Sequence, residues 1–272
     1  MTSSPAPSFD TVTSADGTRI AYEATGTGPA LVIAAGAFSY RRFSMTLELV
    51  ALLATDFTVY NYDRRGRGDS GDTQPYSTDR EIDDLDAVIG AAGGSAYVWG
   101  LSSGAALGLE AAARGSKITR LALYEPPYVV NTDLGRTPAG LVSSIEAALA
   151  AGDRSKAVTL FMTKGMGMPG FIAFAMRMTP SWKRLTRLAH TIPYDLALAG
   201  KPMTPSGIDG SGWFSVACPV MFMVGTKTAA PLQTASKDAA PLVPGAELRW
   251  LPNQSHVFKP AVVAETLKEY FR

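Results

Sequence analysis

Apolar and polar positions along the chain fall into short segments whose periods predict alternating strands and helices. Phe9-Asp-Thr-Val-Thr13 and Arg19-Ile-Ala-Tyr-Glu23 flank a turn at Ala15-Asp16-Gly17, the pattern of a β-hairpin. After the break at Gly26-Thr-Gly-Pro29, Ala30-Leu-Val-Ile-Ala34 is continuously apolar, which suits a strand covered on both faces. A helix is predicted from Arg41 to Thr55, then a strand over Phe57–Tyr62 that runs into Asp63-Arg-Arg-Gly-Arg-Gly-Asp-Ser-Gly71. The next helix opens on a candidate capping box, Thr78-Asp-Arg-Glu81, and ends at Gly93-Gly94. Further strands are predicted at 95–99, 118–124, 219–224 and 247–251, and an amphipathic helix with Pro260 at its first position closes the chain. A hairpin followed by repeated strand–helix units predicts an α/β fold with a mostly parallel, doubly wound sheet.

Composition narrows this picture. A chain of 272 residues, 46% hydrophobic and 18% charged, suits one large domain with an insertion, or two small ones. Twenty-five basic residues against 24 acidic ones create no field that would recruit nucleic acid or a charged membrane. The single Cys218 rules out an intramolecular disulfide and a thiolate metal cluster. Met1–Asp10 lacks the basic start and apolar core of a secretory signal, and no apolar run reaches the ~18 residues of a membrane span. The expectation is a soluble, cytoplasmic protein without metal or cofactor; a homodimer stays open.

Candidate chemistry concentrates in Ser95-Ala-Tyr-Val-Trp-Gly-Leu-Ser-Ser-Gly104 and the Ala-rich helix after it. Gly-x-Ser-x-Gly between strand and helix is a nucleophile elbow, a tight turn that lifts the Ser102 hydroxyl above the sheet. Its glycines leave room for neighbouring backbone. The helix behind points its N-terminus at the site where negative charge would develop, and the Ser103 N–H can donate there.

The order of elements, the Asp63-x-Arg-Gly-x-Gly-x-Ser70 loop, the elbow and a late histidine together resemble the α/β-hydrolase superfamily, over nearly the whole chain. The resemblance implies the α/β-hydrolase fold, with a core of residues 1–129 and 213–272 and a helical cap inserted at 130–212. It makes His256, just past the last strand, the general base that a weakly nucleophilic serine needs. A second oxyanion donor should come from the loop after the strand at 30–34, where Ala35-Gly36 replaces the family's usual His-Gly; the donor is Gly36 or Ala37. Asp63, Arg64 and Arg65 read as loop-holding groups rather than catalytic ones.

The third member of the triad is the awkward one. The commonest family position for the acid, after the strand at 219–224, holds Thr228, which has no charge to set against an imidazolium; an aspartate there would restore the commoner arrangement. Asp238 falls inside the following helix. The fold's other position for the acid follows the strand at 118–124, and Glu125 occupies it. One branch of haloalkane dehalogenases places Glu there but uses an Asp nucleophile. Zearalenone-type lactonases combine a Ser-Ser elbow, Glu-x-Pro and no acid at the commoner site. Trp99-Gly-x-Ser-Ser-Gly104, Glu125-Pro-Pro127 and Leu251-Pro-x-x-x-His256 are similar to that pattern.

In the cap segment, Phe161, Met162, Met166, Met168, Phe171, Phe174, Met176, Met178 and Trp182 supply packing, and such adaptable surfaces also suit irregular apolar shapes. Met166, Trp182 and His190 are the candidate substrate contacts there, with packing the blander role for each. The implied partner is a small apolar ester or lactone, and the implied activity is ester hydrolysis through Ser102, His256 and Glu125. Two rivals remain at this point: a lyase or cyclase using the same groups for proton transfer, and a ligand-binding protein with a decayed site, which Thr228 favours.

Overall fold

The computed structural model describes residues 9–129, 140–204 and 207–272. The N-terminal residues read for a signal, apart from Phe9 and Asp10 of Phe9-Asp-Thr-Val-Thr13, and the expected start of the cap at 130 lie outside the described residues. Ten strands are described: β1 (Asp10–Thr13), β2 (Arg19–Thr25), β3 (Ala30–Ala34), β4 (Thr58–Tyr62), β5 (Ala96–Leu101), β6 (Ile118–Tyr124), the short pair β7 (Met203–Thr204) and β8 (Gly207–Ile208), β9 (Val220–Gly225) and β10 (Glu247–Leu251). Eight of them form one sheet in the order β1-β2-β4-β3-β5-β6-β9-β10. Pairing is antiparallel for β1–β2 and β2–β4 and parallel from β4 through β10.

The helices are α1 (Ser44–Leu53), α2 (Thr78–Ala91), α3 (Ser103–Arg114), α4 (Leu141–Ala150), α5 (Arg154–Leu160), α6 (Gly170–Met176), α7 (Pro180–Arg187), α8 (Ile192–Gly200), α9 (Ala230–Ala239) and α10 (Pro260–Phe271). Two apolar clusters use the two faces of the sheet. One joins Val32, Val98, Leu121 and Leu123 to α2 and α3. The other joins Leu31, Ile33, Ala122 and Met221 to α1 and α10. This two-sided burial is why β3 and β9 read as unbroken apolar runs. Each fully buried Leu, Ile or Val there contributes roughly 1.5–3 kcal/mol.

A third cluster is separate. Leu141, Ile145, Val158, Phe161, Met162, Trp182, Leu185 and Ile192 pack together in the segment that runs from α4 to α8, in the chain between β6 and β9. The segment ends differently: Leu198 of α8 packs into the core on the sheet.

Two local expectations need correction. The helix predicted from Arg41 begins at Ser44, because the Arg41 N–H donates to the buried Asp63 carboxylate at 2.7 Å and its guanidinium pairs with the same group. The cap of α2 is Ser77, whose hydroxyl accepts from the Arg80 N–H at 3.2 Å; Thr78 is already helical. Glu81 does not turn back to complete a box, since its carboxylate takes Arg64 Nε at 2.6 Å and the Tyr76 hydroxyl at 2.8 Å.

Candidate active site

The C-terminal edge of the parallel strands carries the candidate catalytic side chains. Ser102, the residue after β5, has φ 53° and ψ −120°, a conformation that costs a non-glycine residue about 1–3 kcal/mol. Close packing imposes it. A Cβ on Gly100 would lie 2.4 Å from the Gly104 carbonyl oxygen, and one on Gly104 would lie 2.0 Å from that of Ala34. The Ser102 N–H donates to the Tyr124 carbonyl at 2.8 Å, tying the turn to β6. Ser103 opens α3, so its N–H is among the first-turn donors that the helix itself cannot satisfy.

One residue past β6, Glu125 also has a positive φ, 49°, and is fully buried. Its Oε2 lies 2.7 Å from His256 Nδ1. Its Oε1 accepts from the Gly225 N–H at 2.9 Å and from the Thr228 hydroxyl. Thr228, which the sequence presents as a missing acid, is thus a donor that holds the acid supplied by β6. One carboxylate oxygen faces the imidazole and the other is fixed from β9 and its loop. Asp238 lies on α9 and is exposed.

His256 is held through its neighbours. The Tyr124 hydroxyl donates to the Ser255 carbonyl at 2.7 Å, and Phe258 packs edge-on against Trp99 and tilted against Tyr124. Lys227 N–H donates to the Gln254 carbonyl at 2.8 Å, and Gly225 leaves space for that same oxygen, which a Cβ would meet at 2.3 Å. The histidine side chain is about a third exposed.

The loop after β3 comes close to the elbow. A Cβ on Gly36 would lie 3.1 Å from Ser102 Cβ and 2.9 Å from the Leu101 carbonyl oxygen, so only glycine leaves this approach open. The Asp63–Ser70 loop forms the wall behind. Arg41, Arg64, Arg65 and Arg67 are all essentially buried. Arg65 makes a two-pronged contact with Asp84, at 2.7 Å on each oxygen. Burial pushes the Asp84 carboxyl up to about 6 despite the Arg65 guanidinium.

These observations, a serine elbow, a buried carboxylate on a histidine and a mostly parallel sheet, coincide with a family model, Alpha/beta hydrolase family, that matches residues 31–266. The chain belongs to the alpha/beta hydrolase family. An alpha/beta hydrolase from Sphaerobacter thermophilus DSM 20745 is 44% identical with a TM-score of 0.89, over 97% of this chain and 100% of that one. The fold is shared with the esterase RhEst1 from Rhodococcus sp. ECU1013 (20% identity, TM-score 0.71, 97% and 98% of the two chains). It is shared equally with the enol-lactonase from Burkholderia xenovorans LB400 (19% identity, TM-score 0.71, 97% and 99%). No curated protein matches the sequence.

Within this alpha/beta hydrolase, the three residues singled out between β6 and β9 lie in different settings. Trp182 is buried in the apolar cluster of α4–α8, with its indole N–H on the Ser155 hydroxyl at 3.2 Å. Met166 is exposed. His190 lines a cavity with Asp72, Tyr76 and Tyr194, its Nε2 3.9 Å from Asp72; Ser102, Glu125 and His256 are not part of that lining. Ala37 and Phe38 of the loop after β3 pack against the α4–α8 cluster, with Phe38 edge-on to Phe161 at 5.5 Å. Sequence reasoning missed Asp195 of α8, a buried acid in contact with Ser103. Its only signal is a lone charge beside the apolar positions of an otherwise uncharged helix.

Proposed function

We propose that this alpha/beta hydrolase cleaves carboxylic esters by a serine acyl-enzyme mechanism. Ser102 is the nucleophile, His256 the general base and Glu125 the acid that orients it. The observation that carries the reading is the 2.7 Å contact between Glu125 Oε2 and His256 Nδ1. It leaves Nε2 as the nitrogen free to take the serine proton, and the fixed carboxylate stabilises the imidazolium once that proton arrives. The Ser103 N–H and that of Gly36 or Ala37 receive the oxyanion as the carbonyl becomes tetrahedral. His256 then returns the proton to the leaving alkoxide, and water repeats the sequence to release the acid.

The helices between β6 and β9 form the cap in this reading, and their packing on Ala37 and Phe38 supports it. An apolar roof favours a bulky uncharged substrate, and a lactone is the subclass we favour. The similarity of fold to an esterase and an enol-lactonase is compatible with that choice. The decayed-site alternative rested on Thr228, whose hydroxyl now has a supporting role on Glu125. A panel of aryl esters and macrocyclic lactones in H₂¹⁸O tests the proposal: hydrolysis puts one ¹⁸O into the acid product. Turnover that leaves the product unlabelled would place the chain with lyases or cyclases instead.

A further inference from the structure

Asp195 lies on α8, between β6 and β9, yet its side chain reaches the elbow and is only 4% exposed. Its Oδ1 accepts from the Ser103 hydroxyl at 2.7 Å, from Arg67 Nη2 at 2.6 Å and from Arg64 Nη1 at 3.0 Å. The two arginines continue to the loop after β3. Arg64 Nη1 donates to the Ala35 carbonyl at 3.1 Å, and Arg67 Nη1 donates to the Gly36 carbonyl at 2.7 Å.

A peptide unit is planar, with N–H and C=O pointing in opposite directions. Holding the Ala35 carbonyl therefore aims the Gly36 N–H, and holding the Gly36 carbonyl aims the Ala37 N–H. These are the two candidate donors from this loop, and both are fixed from behind by guanidiniums that share one carboxylate. The same carboxylate holds Ser103, which supplies the other donor. We propose that Asp195 is a positioning residue: through Arg64, Arg67 and the Ser103 hydroxyl it clamps both sides of the oxyanion hole, so that the seating of α8 sets the geometry in which Ser102 reacts. The inference deepens the ester-hydrolase reading and rests on it for its catalytic consequence.

Charge balance makes the clamp specific. Arg64 also pairs with Glu81, but Asp195 is the acid that answers Arg67 among the described residues. A tie needed only to fasten a helix would be served as well by apolar packing, since buried ion pairs add little net stability. This one ends on the carbonyls of the two peptides beside Ser102.

The test uses the full-length protein with Asp195→Asn and Ser103→Ala, and Asp84→Asn as a control that breaks an equally buried pair which does not reach the loop. Reactive Ser102 is counted by titration with an aryl phosphonate, and kcat per titrated site and KM are measured on an aryl ester. Hydrogen–deuterium exchange is followed over residues 34–39. The clamp requires Asp195→Asn to lower kcat per site about 10²–10³-fold, the scale of losing an oxyanion donor, with KM within about twofold and faster exchange over 35–38. Ser103→Ala should lose about tenfold, and Asp84→Asn should lose nothing per site. Unchanged kcat per site in Asp195→Asn, or unchanged exchange, overturns the proposal; if that variant does not fold, the same two readouts on Ser103→Ala decide. If the wild-type protein reacts with neither ester nor phosphonate, the ester reading fails, and exchange alone then decides whether Asp195 holds the loop.

Discussion

At the residue scale, the side chains around His256 have separable roles. Ser102→Ala should leave the fold intact and lower kcat by roughly 10⁵–10⁶, because in the proposed mechanism the nucleophile belongs to a unit that works only when complete. Glu125→Gln should keep the shape and remove the charge facing Nδ1, for a loss on the order of 10³–10⁴ in kcat. Asp238→Asn, on the exposed side of α9, should leave ester turnover unchanged. Thr228 is where the structure reverses the expectation from sequence. An aspartate at 228 reads as a replacement acid, but the Thr228 hydroxyl contacts Glu125 Oε1, so Thr228→Asp would set two carboxylates against each other in a buried site. It should impair the wild-type enzyme, and it should fail to rescue Glu125→Gln because position 228 reaches Oε1, the oxygen turned away from His256. Thr228→Val removes one donor and should cost about 1.5–3 kcal/mol in urea unfolding, the scale of a hydrogen bond to a charged group. Rescue of Glu125→Gln by Thr228→Asp would contradict this arrangement.

At the scale of elements, the helices between β6 and β9 divide their residues between packing and exposure. Trp182→Ala opens a void in the cluster of α4–α8 and should lower stability by about 3–5 kcal/mol, read as a drop in melting temperature, with equal effects on small and bulky esters. Met166→Ala, at an exposed position, should leave the melting temperature alone and shift kcat/KM between small and bulky esters if that residue faces the substrate. Most of the elements are legible in the sequence because apolar periodicity reports burial directly. The unbroken runs of β3 and β9 and the elbow between β5 and α3 needed no tertiary information. Helix starts did: Arg41 and Glu81 carry local signals for a helix and a capping box, and distant partners in the Asp63–Ser70 loop override both. Asp195 was illegible for the same reason, since its meaning depends on Ser103, 92 positions away.

At the scale of the whole molecule, the buried charges link acid stability to the seating of α8. Burial alone would raise the Asp195 carboxyl, but Arg67 and Arg64 outweigh it and hold the group below its usual range. A depressed folded value means stability that is present above the unfolded pKa, about 4, and lost as pH falls through the folded one. Urea midpoints of wild type and Asp195→Asn should therefore lie apart at pH 7 and converge as pH falls below about 4; a gap that widens in acid would contradict the assignment. The left-handed conformations of Ser102 and Glu125 reach further still. Each of two adjacent strands is followed by a residue that glycine would replace with less strain, so a lineage selected only for durability would drift away from both. In the proposed mechanism a Ser and a Glu at these positions trade robustness for turnover. Laboratory evolution for heat tolerance alone should erode the C-terminal edge of β5 and β6 before it touches the core.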